Sequence, residues 1–309
     1  MLLRWLVDNY VRDAATGKMR DVVSSTLRER LAVPPLSEAS NENTSLVPSP
    51  QPPTPSPQPA EFIPCDILFI FALGIESGGL VDLLQGAETS KLRHGVERAG
   101  KLAGREVAIV ECGVGAAAAA RATAEAIKFY RPKWVVSAGF AGALVETLRK
   151  GHILMAHSVA VTSGQSLATG LKLDSQSLAA KPGLHVGRLL TVSEIIRRPE
   201  QRREFASSHQ AIACDMETFA VAEVCQKQGV PLLAVRVISD AVDDELPPEI
   251  ERLLAQKSLA GKLGAAAGAL LKRFSAAKDL WKLREDALKA SDRLAKFLVS
   301  MLSQLANDQ

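Results

Sequence analysis

Apolar positions follow three different patterns along the chain. Between residues 1 and 32 they recur at helical spacing. Leu2, Leu3, Leu6, Val7, Tyr10 and Val11 share one face, and Val22, Val23, Leu27 and Leu31 continue it after a break near Gly17. From 33 to 61 the periodicity stops. Ten of the 16 prolines lie between Pro34 and Pro64, interleaved with Ser, Gln, Asn and Thr, so this stretch predicts an extended linker without a core. From 62 onward short apolar runs alternate with amphipathic segments.

In that third region Ile67 to Ala72 is a continuous apolar run, as expected of a strand covered on both faces. Ser77 to Leu84 predicts a helix, Arg105 to Cys112 a second strand, and Ala116 to Tyr130 an Ala-rich helix ended by Pro132. Trp134 to Ala138 predicts a third strand, closed by a glycine turn over Gly139 to Gly142. Ile153 to Val161, Gly187 to Val192 and Leu232 to Ile238 predict further strands, and Glu217 to Gln228 a helix. Pro247 to Phe274 predicts one more helix that closes a domain over 62–274. Strands alternating with helices point to a three-layer α/β/α fold. Residues 275–309 form a C-terminal amphipathic extension, with Trp281, Leu283, Leu288, Leu294, Phe297, Leu298, Met301, Leu302 and Leu305 in a helical stripe. Such a stripe suits docking on the body of the protein or its dimer mate. The alternative for both terminal helices is a protein partner or a membrane surface.

Composition adds limits. With 47% apolar residues the chain can bury a sizeable core, and a net charge of +3 gives no argument for nucleic acid. No run reaches the ~18–20 apolar residues of a membrane span. The first ten residues lack the clean hydrophobic stretch and cleavage site of a signal peptide. Cys65, Cys112, Cys214 and Cys225 show no metal-ligand spacing, nor do the five scattered histidines, so no metal or other cofactor is expected. Reduced thiols in a cytoplasmic protein are the simplest reading.

Candidate chemistry centres on two segments. Cys214-Asp215-Met216-Glu217-Thr218 puts acids at the start of a helix, and Val235-Arg236-Val237-Ile238-Ser239-Asp240 ends a buried strand on another acid. In α/β sheets ligands are held at the carboxyl ends of strands. Taken alone, Asp240 could equally be a helix cap, Glu217 a first-turn acid and Glu76 an exposed loop acid.

These segments resemble the nucleoside phosphorylase/nucleosidase superfamily, and most closely its methylthioadenosine/S-adenosylhomocysteine nucleosidases. Four further segments agree in order and spacing: Ile70 to Glu76, Cys112 to Gly115, Ser137 to Leu144, and Leu148 to Ile153. The resemblance implies a mixed, partly curled sheet flanked by helices, and cleavage of the N-glycosidic bond of a purine nucleoside with release of adenine. It implies Asp240 as the acid that protonates the base, oriented by Ser239, and Glu76 as the group that activates water. It implies Glu217 on the ribose hydroxyls beside Asp215, with Met216 beneath the ring. Cys112 and Gly113 fall at the ligand turn, and Ala138, Gly139 and Phe140 where the family contacts base or ribose. A homodimer with its sites near the interface is also implied.

Two features depart from the family. Ile195 stands where adenine-specific relatives carry an aromatic residue, and the stretch between Ile153 and Gly187 is short. The phosphorylases of the superfamily place an arginine near the turn that here reads Ser137-Ala138-Gly139-Phe140, and none is present there, which favours water as nucleophile. The remaining readings are a phosphorylase, a nucleosidase for another 5′-modified nucleoside, and a non-catalytic nucleoside-binding or scaffold protein.

Overall fold

The computed structural model describes residues 63–92, 95–170, 182–245 and 274–305. All of them belong to one compact unit of the chain. The N-terminal helical segment, the linker and most of the predicted 247–274 helix lie outside the described residues.

In chain order the strands are β1 (Ile67–Phe71), β2 (Gln85–Leu92), β3 (Gly95–Leu102), β4 (Arg105–Glu111), β5 (Trp134–Ala143), β6 (Ile153–Val161), β7 (Ser166–Ala168), β8 (Leu184–Thr191), β9 (Ala213–Asp215) and β10 (Leu232–Asp240). The helices are α1 (Gly74–Val81), α2 (Ala116–Tyr130), α3 (Pro199–His209), α4 (Thr218–Gln228) and α5 (Phe274–Leu305).

The strands form one mixed sheet that curls on itself. Parallel β5–β10, antiparallel β10–β6, parallel β6–β8, parallel β8–β9 and antiparallel β9–β5 pairings close a ring of five strands. From β5 an open flange continues through β1, β4, β3 and β2. Curling brings the ends of β5, β9 and β10 together, which is the geometric origin of the site described below.

Period-2 alternation separates the two faces of the flange. Leu68 and Ile70 of β1 pack with Ala119, Ala122 and Ala126 of α2 and Phe219, Val221 and Cys225 of α4. Ile67, Phe69 and Phe71 pack instead with Leu80 of α1 and Ala290, Leu294, Leu298 and Leu302 of α5. The small alanines of α2 recur at helical spacing and let that helix lie close on the sheet. The helix stops at Arg131, which takes a left-handed conformation before Pro132.

The C-terminal helix is a wall of the core rather than an appendage. Ala290, Leu294, Leu298 and Leu302 recur every fourth residue and are all buried. The Ser291 hydroxyl accepts from Gly79 N–H at 3.0 Å and donates to the Glu76 carbonyl at 3.1 Å. A Cβ on Gly79 would lie 3.0 Å from the Ser291 backbone, so glycine permits the close approach of α1 and α5. Leu288, assigned by spacing to the buried stripe, is instead 44% exposed.

Four element boundaries differ from the pattern reading. The hairpin of β2 and β3 gives no apolar run, because its strands carry polar residues on both faces. Helix α1 begins at Gly74 rather than Ser77, drawing Glu76 into its first turn. Strand β8 begins three residues early, at Leu184. The stretch Gly139–Gly142 is not a turn. It prolongs β5, paired with Arg236 to Asp240 of β10.

Candidate active site

A cavity of about 490 Å³ opens where β5, β9 and β10 end. Apolar walls come from Leu73, Ile75, Phe140, Val192, Ile195 and Ile196, with Met216 on another side. Glu76, Asp215, Glu217 and Asp240 all reach its lining, as does Ser239. Four acids from three separate segments of the chain are therefore gathered around one space.

Local folding explains the gathering. The β5–β10 register shifts between Ile238 and Asp240. That bulge lets the successive residues Ser239 and Asp240 both face the cavity, where strict alternation would turn one away. A Cβ on Gly142 would lie 2.9 Å from Asp240 Oδ2, and one on Gly139 would lie 2.9 Å from Glu76 Oε1. The glycines of β5 are there because carboxylates pack on the backbone at that point.

Each carboxylate has a distinct setting. Buried Glu76 accepts three backbone N–H groups, from Ala72 at 3.0 Å, Leu73 at 2.9 Å and Phe140 at 2.9 Å. Burial raises its pKa, against the pull of those N–H groups and of Arg236. Glu217, which precedes α4, accepts Gly115 N–H at 2.7 Å. Gly115 lies at φ +98°, a conformation that aims its N–H back toward α4 and strains other residues. Burial first, and then the Asp215 charge, push the Glu217 pKa up to about 7.

Asp215 is turned inward. Its Oδ2 accepts Arg236 Nη2 at 2.8 Å and Nε at 3.1 Å, and the Thr218 hydroxyl also donates to it. Its Oδ1 accepts the Thr191 hydroxyl at 2.7 Å. Arg236 is buried in β10 and also donates to the Ser137 carbonyl and hydroxyl, each at 2.8 Å. This network ties β5, β9, β10 and the start of α4 into one rigid block. Asp240 also faces a guanidinium: Arg202 Nη2 stands 2.5 Å from its Oδ2, and the Ser239 hydroxyl donates to its Oδ1 at 2.6 Å.

Behind Glu76 lies a second, small chamber of about 10 Å³, close to the space of one water molecule. Glu76, Cys112, Ser137, Glu217 and Arg236 line it, together with Ala138, Gly139 and Phe140. Thus Cys112, Ala138 and Gly139 face this chamber rather than the main cavity, and Phe140 faces both. The Phe140 N–H is occupied by Glu76, so backbone contact with a ligand at that position is replaced by a contact with the acid. Gly113 turns the chain at φ +85° and lines neither space. Cys112 and Cys214 are buried thiols whose pKa burial pushes up to about 12.

Several lining residues carry no mark in the sequence. Arg202 is one of four arginines between 197 and 203, on a helix whose composition looks solvent-facing, yet it is 1% exposed. Asp286 and Ala287 of α5 complete the mouth, and Lys150 faces Asp244 at 3.1 Å nearby. Among the described residues, the three cations lining either space, Lys150, Arg202 and Arg236, all stand opposite an acid.

The chain shares this architecture with known proteins. A 5′-methylthioadenosine/S-adenosylhomocysteine nucleosidase of Shewanella sp. (strain W3-18-1) is 28% identical over 191 residues, spanning 54% of this chain and 83% of the relative. One of Actinobacillus succinogenes is 28% identical over 199 residues, spanning 56% and 86%. Among solved structures, the Helicobacter pylori 5′-methylthioadenosine/S-adenosylhomocysteine nucleosidase with butyl-thio-DADMe-Immucillin-A superposes at a TM-score of 0.60 with 22% identity, covering 79% of this chain and all of that one. A futalosine hydrolase mutant from the same species gives 0.58 with 20% identity, covering 77% and 99%. These two likenesses establish the fold. The model of the Phosphorylase superfamily matches residues 66–183 and 172–274, the segments that build the curled sheet and carry Glu76, Asp215, Glu217 and Asp240, and the chain belongs to that superfamily.

Proposed function

We propose that the protein hydrolyses the N-glycosidic bond of a purine nucleoside, methylthioadenosine or S-adenosylhomocysteine, and releases adenine. The observation that carries this reading is the set of acids around one cavity, with the guanidiniums of Arg202 and Arg236 already committed to Asp240 and Asp215. A phosphate ion needs free cationic donors. Among the described residues none lines the cavity or the chamber behind Glu76, since Lys150, Arg202 and Arg236 each face an acid. The names of the 28%-identical relatives support the substrate.

The roles follow from bond breaking. As the C1′–N bond opens, negative charge grows on the base and positive charge on the ribose. Asp240, steered by Ser239, delivers a proton to a ring nitrogen of the base. Val192, Ile195 and Ile196 hold the base by apolar contact without stacking. Glu217 accepts the ribose hydroxyls, and Met216 lies under the sugar. Glu76 takes a proton from water placed between it and the ribose. Asp215 acts at one remove, by holding Arg236 and the start of α4. Cys112, Gly113, Ala138 and Gly139 shape the chamber walls and the turn beside them.

Glu217 gives this reading a pH signature. Accepting hydroxyls requires its ionised form, so kcat/KM should rise with pH through about 7. The sign for stability is opposite. The folded pKa is raised above the usual 4.5, so its stabilising contribution is complete below pH 4.5 and is lost as pH rises through about 7. Glu217→Gln should flatten both dependences. A kcat/KM rise of unchanged position in that variant would remove Glu217 from the sugar site.

We also infer a cytoplasmic homodimer. Four free, buried cysteines suit a reducing compartment, and no described helix is long and apolar enough to cross a membrane. Light scattering distinguishes a dimer from the 33.0 kDa chain.

The substrate assignment is tested by chromatography after incubation with methylthioadenosine, S-adenosylhomocysteine and inosine. Adenine from either of the first two is expected. Release of hypoxanthine alone would overturn the base assignment.

A further inference from the structure

Arg202 is a fully buried guanidinium with no counterpart among the roles given above, although it touches Asp240 directly. Its Nη2 stands 2.5 Å from Asp240 Oδ2. Its Nη1 donates to the Ala241 carbonyl at 2.7 Å and reaches the Ala143 carbonyl at 3.5 Å. Its Nε donates to the Ile196 carbonyl at 3.1 Å. One rigid, planar fork thus holds the proposed acid, the backbone just beyond it, the end of β5 and the wall against which the base would rest. Pro199 starts α3 one turn before Arg202, which fixes where the fork enters.

We propose, building on the hydrolase reading, that Arg202 is a positioning residue for the acid step: it aims Asp240 at the leaving base and stabilises the carboxylate that remains once the proton has gone. The step balances. The proton moves from the Asp240 carboxyl to a ring nitrogen of the base, and the electron pair of the C1′–N bond stays with that base. The ribosyl cation takes up water, whose proton passes to Glu76. Glu76 then releases its proton to solvent, and Asp240 is reprotonated from solvent. Without Arg202 the new carboxylate would be formed in a largely apolar cavity beside an electron-rich base, the arrangement such sites avoid. A lysine would keep the charge but lose the fork that spans three carbonyls.

The test separates this role from simple structural support by changing the leaving group. Wild type, Arg202→Lys and Arg202→Met are compared on methylthioadenosine and on 4-nitrophenyl riboside, whose nitrophenolate departs without a proton. For Arg202→Met, kcat on methylthioadenosine should fall by about 10²-fold or more, while nitrophenyl riboside turnover changes far less. Arg202→Lys should lie between. The nitrophenyl turnover itself reports that each variant is folded, and melting curves provide a second check. A parallel loss on both substrates in both variants would reduce Arg202 to a structural residue and leave the hydrolase reading intact. Wild-type cleavage of nitrophenyl riboside with no purine nucleoside accepted would sink the purine reading and this role with it.

Discussion

Asp240→Asn is expected to lower kcat for base release by roughly 10²–10⁴-fold, the usual span of a lost acid–base group. The fold should survive. Asparagine keeps the shape of the side chain and can still present its carbonyl oxygen to Arg202, while its NH₂ donates to the Ser239 hydroxyl, which can give its own proton to the Ala141 carbonyl. What disappears is the transferable proton. The cost in stability should be small, about 1 kcal/mol, because Arg202 keeps an acceptor oxygen opposite it. Substrate binding should change little, so the loss falls on kcat rather than KM. Steady-state kinetics and a melting curve on the same preparation check both halves. Turnover like the wild type would remove Asp240 from the chemistry.

Glu76→Gln should cost activity on the same scale, but for a reason that also weakens the fold. Both Glu76 oxygens accept backbone N–H groups, Oε2 from Ala72 and Leu73, Oε1 from Phe140. A glutamine must turn its NH₂ toward one side. Facing Phe140 leaves one clashing donor, and facing Ala72 and Leu73 leaves two. The first orientation should prevail, at about 1–3 kcal/mol for the unsatisfied donors. Water activation is lost in either orientation. The variant should therefore melt earlier and turn over about 10²–10⁴-fold more slowly, with methylthioadenosine still bound. Calorimetric binding together with single-turnover kinetics decides it. Loss of binding with unchanged single-turnover rate would assign Glu76 to ligand grip instead.

Most of the central sheet was legible because its strands are continuously apolar, as in Ile67–Phe71, apolar but for Arg236, as in Leu232 to Ile238, or bounded by turns and proline. The acids were legible through the company they keep: each stands at or just past a strand end, in a motif of fixed order. Four things were not. The β2–β3 hairpin is polar on both faces and carries no period. The glycines at 139–142 look like a turn in sequence, whereas they extend a strand so that two carboxylates can pack against backbone. Arg202 is indistinguishable from its exposed neighbours Arg198 and Arg203 until tertiary structure turns it inward. For α5, helical spacing gave the stripe but not which of its residues face inward, since Leu288 belongs to the same periodicity and lies outside.

Hydrolysis by this route requires that water placed between Glu76 and the ribose attacks the sugar. The direct measurement is the sugar product formed from methylthioadenosine in H₂¹⁸O, analysed by mass spectrometry with and without added phosphate. Free sugar carrying one heavy oxygen is expected, at the same rate in both conditions. Appearance of an unlabelled sugar 1-phosphate, formed only when phosphate is present, would contradict it.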